Sequence, residues 1–194
     1  MMSGIREERR QQIIEAAIKV YGKKGYHRAK IEEIAIEAEI GKSTVYEYFN
    51  SKKELFEEML RFIVGVYMDK AKITLNNIVD CKGKLIAFAI HQGSFIKRNM
   101  DLAENTITES ASVSTEVKKE IIRWKRQVLT MVEDIFHQGI NSGELRSDLD
   151  TRIVALTALG AINEYYGTQL LESKNLNEID PTPIIDLLYR GISK

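Results

Sequence analysis

Lys42, Ser43, Thr44, Tyr46, Glu47 and Tyr48 crowd into one stretch, AEIGKSTVYEYFNSKKEL over residues 38–55. An ammonium, two hydroxyls, two phenols and a carboxylate at this spacing fall on the outer face of one short helix, while Val45 and Phe49 turn inward. The chemistry on offer is hydrogen bonding and charge rather than bond making. Lys42, Ser43 and Thr44 open the helix: a lysine there reaches guanine O6 or N7, and a threonine contacts a thymine methyl or a phosphate. Lys52, at the start of the following helix, is placed for a phosphate, and Arg28 and Lys30 flank the other side of the same groove. Such a face suits the major groove of DNA. Glu47 is the odd member, because an acid repels phosphates unless it accepts from a cytosine amino group. A base-reading Glu47 and a merely solvated one both remain open.

Other chemistries find little support. The three histidines, His27, His91 and His137, are scattered, and no paired-histidine metal spacing, glycine-rich phosphate loop or nucleophile elbow occurs. The single Cys81 excludes an intrachain disulfide and a cysteine-cluster metal site. The chain is therefore not expected to be an enzyme, nor to hold a metal or cofactor. Net charge is zero over 194 residues, which taken whole argues against nucleic acid. The distribution argues otherwise. Residues 1–53 hold 11 Lys and Arg against 8 Asp and Glu, and the remainder holds 17 against 20. That split fits a small DNA-contacting head on an acidic body. The N-terminus is polar, and no apolar run approaches the roughly 20 residues that a spanning helix needs. A cytoplasmic chain with no membrane partner is expected.

The elements that must position the reading face are helical. Ile13, Ala16, Ala17, Val20 and Tyr21 repeat at helical spacing over 6–24, Gly25 ends that helix, and Tyr26 folds back into a small core. Ile31, Ile34, Ala35 and Ala38 line one side of a second helix, 31–38; Ile40-Gly41 makes the turn, and a third helix spans about 42–48. Ser51 and Glu54 form a capping box that opens a long helix running to about residue 79. Lys82-Gly83 reads as a break. Further helices are expected at about 84–98, 100–110, 115–142, 150–172 and 182–191, with Asp150 as a cap. With only Pro181 and Pro183 to interrupt it, the chain reads as all-α, about nine helices and no sheet. Residues 1–51 read as a helix-turn-helix domain, and 52–194 as a separate helical body.

The stretch IEEIAIEAEIGKSTVYEYFNSKKEL (31–55), preceded by GKKGYHRAK, resembles the TetR family of bacterial transcription regulators. The resemblance covers about a quarter of the chain; the rest matches only in length and helical character. It implies a homodimeric, all-helical repressor whose first three helices bind DNA and whose C-terminal helices dimerise and bind a small inducer. Tyr46 and Tyr48 match the family's backbone-contacting aromatics. Two departures matter. Ala29-Lys30 stand where the family opens its second helix with Ser or Thr, so a cap worth about 1 kcal/mol is missing. Gly41 replaces the usual Ser before the recognition helix. Side-chain phosphate contacts at these positions are correspondingly in doubt, and Lys30 offers a charge in their place.

For the body, the apolar candidates to line a pocket are Phe62, Phe88, Phe95, Met100, Trp124 and Met131, with His91 and Gln127 as polar ones. Residues of these types are more often plain core than pocket lining. They favour a hydrophobic or amphipathic effector, such as an acyl thioester or a lipophilic drug. Ile153, Leu156, Leu159 and Gly160 form one dimer stripe, and Ile184, Ile185 and Leu188 another; two helices per subunit would make a four-helix bundle. A two-fold dimer places two recognition helices about 34 Å apart and reads a palindrome. The expected function is a homodimeric repressor that a small effector releases from its operator. The alternative is a DNA-binding regulator without a small effector, either an activator or one controlled by a protein partner.

Overall fold

The computed structural model describes residues 2–108, 115–172 and 179–193. Its helices in chain order are α1 (Met2–Arg28), α2 (Ile31–Glu37), α3 (Lys42–Tyr48), α4 (Lys52–Asn76), α5 (Cys81–Thr108), α6 (Thr115–Asn141), α7 (Thr151–Glu172) and α8 (Thr182–Ile192). Among the described residues there is no strand, only an isolated bridge between Leu145 and Ser193. The all-α class stands, with eight helices among the described residues rather than nine. The segments expected at 84–98 and 100–110 are one helix, α5. Nothing between them stops the helix: no Gly or Pro follows Gly93 in it, and poor helix formers such as Asn99 and Asp101 cost only about a few tenths of a kcal/mol each. Lys82-Gly83 is not a break either. Both lie in the first turn of α5, where Asp80 Oδ1 accepts from the Gly83 N–H at 2.7 Å. The chain reverses just before, at 77–80.

The chain divides into two units, one of residues 1–66 with 99–121, the other of 67–98 with 122–194. The first is built around the periodic residues of α1. Ile13, Ala17 and Tyr21 are buried with Ile34, Val45, Phe49, Leu55 and Met59. Gly25 holds φ at 72°, a conformation that glycine adopts without strain, and turns the chain. Tyr26 then lies back on Phe56, with ring centroids 4.7 Å apart. The start of α6 belongs to this unit, where Lys53 pairs with Glu116 at 3.2 Å and Arg61 with Glu120 at 3.6 Å. Ser51 Oγ accepts from the Glu54 N–H (3.1 Å), and Glu54 accepts from the Asn50 N–H (2.7 Å), so the capping box is offset by one residue on its return arm.

The second unit buries Leu85, Phe88, Val132, Ile135, Phe136, Leu145 and Ile162. Glu144 accepts from the first N–H of α5, at Cys81 (2.8 Å), and Asp150 Oδ1 caps α7 through the N–H groups of Arg152 and Ile153, both at 3.0 Å. Burial pushes the Cys81 thiol up to about 12, so it is a neutral core residue. No helix among the described residues is long and apolar enough to cross a membrane.

Candidate functional site

The reading face rests on α2. Lys30 stands at its N-cap and offers no side-chain acceptor, as the sequence implied. Glu33 Oε2 instead accepts from the Lys30 N–H at 3.1 Å, the return arm of a capping box. Gly41 opens α3 without a side-chain cap. Seven residues of helix are marginal alone, and α3 is held from inside by Val45 and Phe49, each 1% exposed. That burial fixes the outer face. Lys42, Ser43, Tyr46 and Glu47 are exposed, and Thr44 and Tyr48 half-buried. Tyr46 keeps 46% of its surface open, large for a tyrosine with no role in the core.

Charge on this face is already engaged. Lys42 pairs with Glu32 at 2.6 Å, Lys24 with Glu33 at 2.7 Å and Lys19 with Glu37 at 2.8 Å. The hydrogen bond from Lys42 lowers the Glu32 carboxyl below its usual range and raises the Lys42 ammonium. Arg28 Nε donates to the Lys24 carbonyl at 3.0 Å. Lys52 donates to the His27 carbonyl at 3.2 Å and lies 4.7 Å from the Tyr26 ring centroid, a position fixed by packing rather than left to solvent. Arg6, which sequence reading passed over, sits 5.8 Å over the Tyr48 ring. Glu32 was missed as well, because its ten-residue separation from Lys42 spans a turn and has no one-dimensional signature.

A phosphate or base that took Lys42 would have to displace the Glu32 pair. Glu32→Gln is expected to raise DNA affinity by about two- to fivefold, the worth of an exposed ion pair. It should also lower stability slightly, because Glu32 faces the α2 dipole. Fluorescence anisotropy on a DNA duplex measures the first effect; unchanged or weakened binding would show that the pair does not compete.

In the second unit Tyr67 gathers the aromatic candidates. Its ring centroid lies 4.5 Å from His91, 4.7 Å from Phe95 and 5.7 Å from Trp124, and Phe95 lies 5.3 Å from Trp124. Tyr67 Oη donates to Gln92 Oε1 at 2.6 Å, and Gln92 Nε2 donates to Asn163 Oδ1 at 2.9 Å, a polar thread joining α4, α5 and α7. His91 Nε2 and Trp124 Nε1 are buried without a hydrogen-bond partner. A buried polar atom left unpaired costs about 1–3 kcal/mol, so two beside one aromatic cluster mark a place suited to a ligand's polar group. Met131 packs at the edge of this core, Phe88 is wholly inside it, and Gln127 is exposed. Phe62 packs in the first unit and does not join the cluster. Met100 lies on α5, and its side chain falls outside those described. Tyr67 itself read as one more member of an apolar stripe.

The expected dimer stripes separate. On α7, Ile153 and Leu156 are 61% and 53% exposed, Gly160 opens onto free space, and Leu159 leans into its own core. On α8, Ile185 is 1% exposed and belongs to the protomer's own core, which corrects its place in the stripe. The cause is helical period: Ile185, Leu188 and Ile192 share the inner face, and Leu187, 70% exposed, takes the outer one. Ile184 and Leu188 are half-buried.

Residues 13–59 match a family model described as bacterial regulatory proteins of the tetR family, and residues 80–167 match one described as a tetracyclin repressor-like C-terminal domain. The chain belongs to the TetR family. This regulator is 25% identical over 182 residues to the fatty acid metabolism regulator protein of Bacillus subtilis, covering 93% of its own length and 94% of that protein. It is 26% identical over 160 residues to the transcriptional repressor KstR2 of Mycobacterium tuberculosis, covering 79% and 77%. Its fold matches that of Bacillus subtilis FadR, solved in complex with stearoyl-CoA, with a TM-score of 0.74, 24% identity, and coverage of 93% and 95%. The regulator is a DNA-binding transcription factor and not an enzyme.

Proposed function

We propose that the regulator is a cytoplasmic, homodimeric repressor that leaves a palindromic operator when it binds an amphipathic effector of the long-chain acyl thioester class. Residues 1–51 read DNA; residues 52–194 bind the effector and dimerise. The observation that carries the DNA role is the outer face of α3, with Lys42, Ser43 and Tyr46 exposed over the buried Val45 and Phe49. Thr44, Tyr48, Lys52, Lys30 and Arg28 border that face as phosphate contacts. The two unpaired buried nitrogens beside Tyr67 and Phe95 support a ligand with both apolar and polar parts, and the fatty-acid regulator among the relatives supports an acyl chain. Ile153, Leu156, Gly160 and Leu187 supply the uncovered surface for a second subunit. A ligand releases DNA only through differential affinity for two states, and about 1.4 kcal/mol of coupling gives a tenfold loss.

The test begins with selection of binding sites from random duplexes. A two-fold symmetric site with half-site centres about one turn apart is expected. Stearoyl-CoA is then expected to weaken binding to that site by about tenfold or more, and free coenzyme A to leave it unchanged. Asymmetric selected sites would overturn the dimer reading. DNA binding indifferent to acyl chains of every length would overturn the effector class and leave control by a protein partner.

A further inference from the structure

Between α4 and α5 the second unit carries an open groove of about 430 Å³. Lys70 borders it from α4, and His91, Ser94 and Arg98 from α5, at positions i, i+3 and i+7 of one helical face. Ile73 and Ile90 line it and remain 66% and 51% exposed. We propose that this groove binds an anionic group, a phosphate or a carboxylate, held by Lys70, His91 and Arg98, with an attached alkyl chain lying along Ile73 and Ile90.

Three observations converge. The first is charge: every ionisable side chain lining the groove is basic, and neither Lys70 nor Arg98 is paired with a carboxylate among the described residues. The second is His91, which is 8% exposed, while its Nε2 has no partner. Its ring hydrogen-bonds the Tyr67 backbone, which uses the Nδ1–H and leaves Nε2 as a bare lone pair in the neutral tautomer. The third is that burial, with Arg98 and Lys70 nearby, holds the free imidazole below its usual range. The titratable groups facing it are Lys70 and Tyr67 from α4 and Arg98 from its own helix; α6 presents Trp124, which does not titrate. An anion between the two cations reverses the field at the ring. His91 then takes a proton from solvent, and its new Nε2–H donates to the anion, satisfying the orphaned ring nitrogen. Binding is therefore coupled to uptake of one proton and tightens as pH falls.

This assignment deepens the effector reading by giving the ligand a charged end, and its test does not pass through DNA. Titration calorimetry of the full chain uses dodecyl phosphate below its micellar concentration, and sodium pyrophosphate as a free anion. Saturable binding of dodecyl phosphate is expected. It should tighten about tenfold from about pH 8 to about pH 6, with a heat that varies with buffer ionisation enthalpy in proportion to one proton. Lys70→Gln with Arg98→Gln, both at exposed positions, should weaken it by about tenfold or more, and His91→Gln should flatten the pH dependence. Pyrophosphate bound as tightly as dodecyl phosphate would also support the anion site, with a free anion as occupant. Dodecyl phosphate binding that the double variant leaves untouched overturns the proposal, as does failure of both probes to bind. Loss of the DNA response to stearoyl-CoA with these results intact would instead remove the thioester reading alone.

Discussion

Gly93→Ala is expected to destabilise the regulator by about 2–3 kcal/mol, although alanine is the better helix former. Gly93 lies inside α5, where exchange for alanine ordinarily gains about 1 kcal/mol. Here a Cβ would stand 2.1 Å from Cε1 and 2.3 Å from Cζ of Tyr166 on α7. The Tyr166 ring is 3% exposed and cannot swing into solvent. The next residue, Gln92, ties α5 to Asn163 on α7, so the helices cannot part without stretching that bond. Overpacking of this kind typically costs 1–3 kcal/mol or somewhat more, and it outweighs the propensity gain. Gly65→Ala gives the contrasting case. Nothing lies within 4 Å of its would-be Cβ, in the interior of α4, and stability is expected to rise by up to about 1 kcal/mol. Urea denaturation of both variants reads the pair, with the midpoint for Gly93→Ala falling by about 1 M or more. A Gly93→Ala protein as stable as the parent would show that α5 and α7 do not pack at this point.

Much of this arrangement was legible because helices carry their burial in their spacing. Ile13, Ala17 and Tyr21 announced one face, and Val45 with Phe49 announced the inner side of α3, which in turn exposed Lys42 and Tyr46. Asp150 announced the start of α7 by its residue type. What stayed hidden depends on which helix meets which. Ile185 is apolar on a helix with apolar residues on both sides, and only the packing of α8 on its own unit decides that Leu187 is the outer one. The close approach behind Gly93 needed Tyr166 from 73 residues away. The Glu32–Lys42 pair and the gathering of His91, Phe95 and Trp124 around Tyr67 are likewise contacts between elements. His91, Phe95 and Trp124, which the fold gathers around Tyr67, stood out by residue type, but nothing one-dimensional separated them from Phe62, which packs elsewhere.

Tyr46→Ala is expected to abolish operator binding while leaving the fold and the dimer intact. Tyr46 is the exposed aromatic on the outer face of α3 and is absent from the first unit's core, so its removal should change stability by no more than about 0.5 kcal/mol. In the proposed reading the ring and hydroxyl position the recognition helix on DNA, and losing a hydrogen bond to a charged phosphate together with its apolar contact costs about 1.5–3 kcal/mol per half-site. The two-fold symmetry of the proposed dimer would apply that loss twice, which amounts to roughly a 100-fold to 10,000-fold fall in affinity. Lys42→Ala acts on a different quantity. It removes a cation and leaves Glu32 facing the groove alone, so it should weaken binding and also lower the dependence on salt by about one counterion per half-site. Tyr46→Ala removes no charge and should leave the salt slope unchanged. Anisotropy over a salt series, with sedimentation as the check on assembly, separates the two. Undiminished affinity in Tyr46→Ala would remove α3 as the reading helix. Weakened affinity together with a lost dimer would place Tyr46 in assembly rather than in recognition.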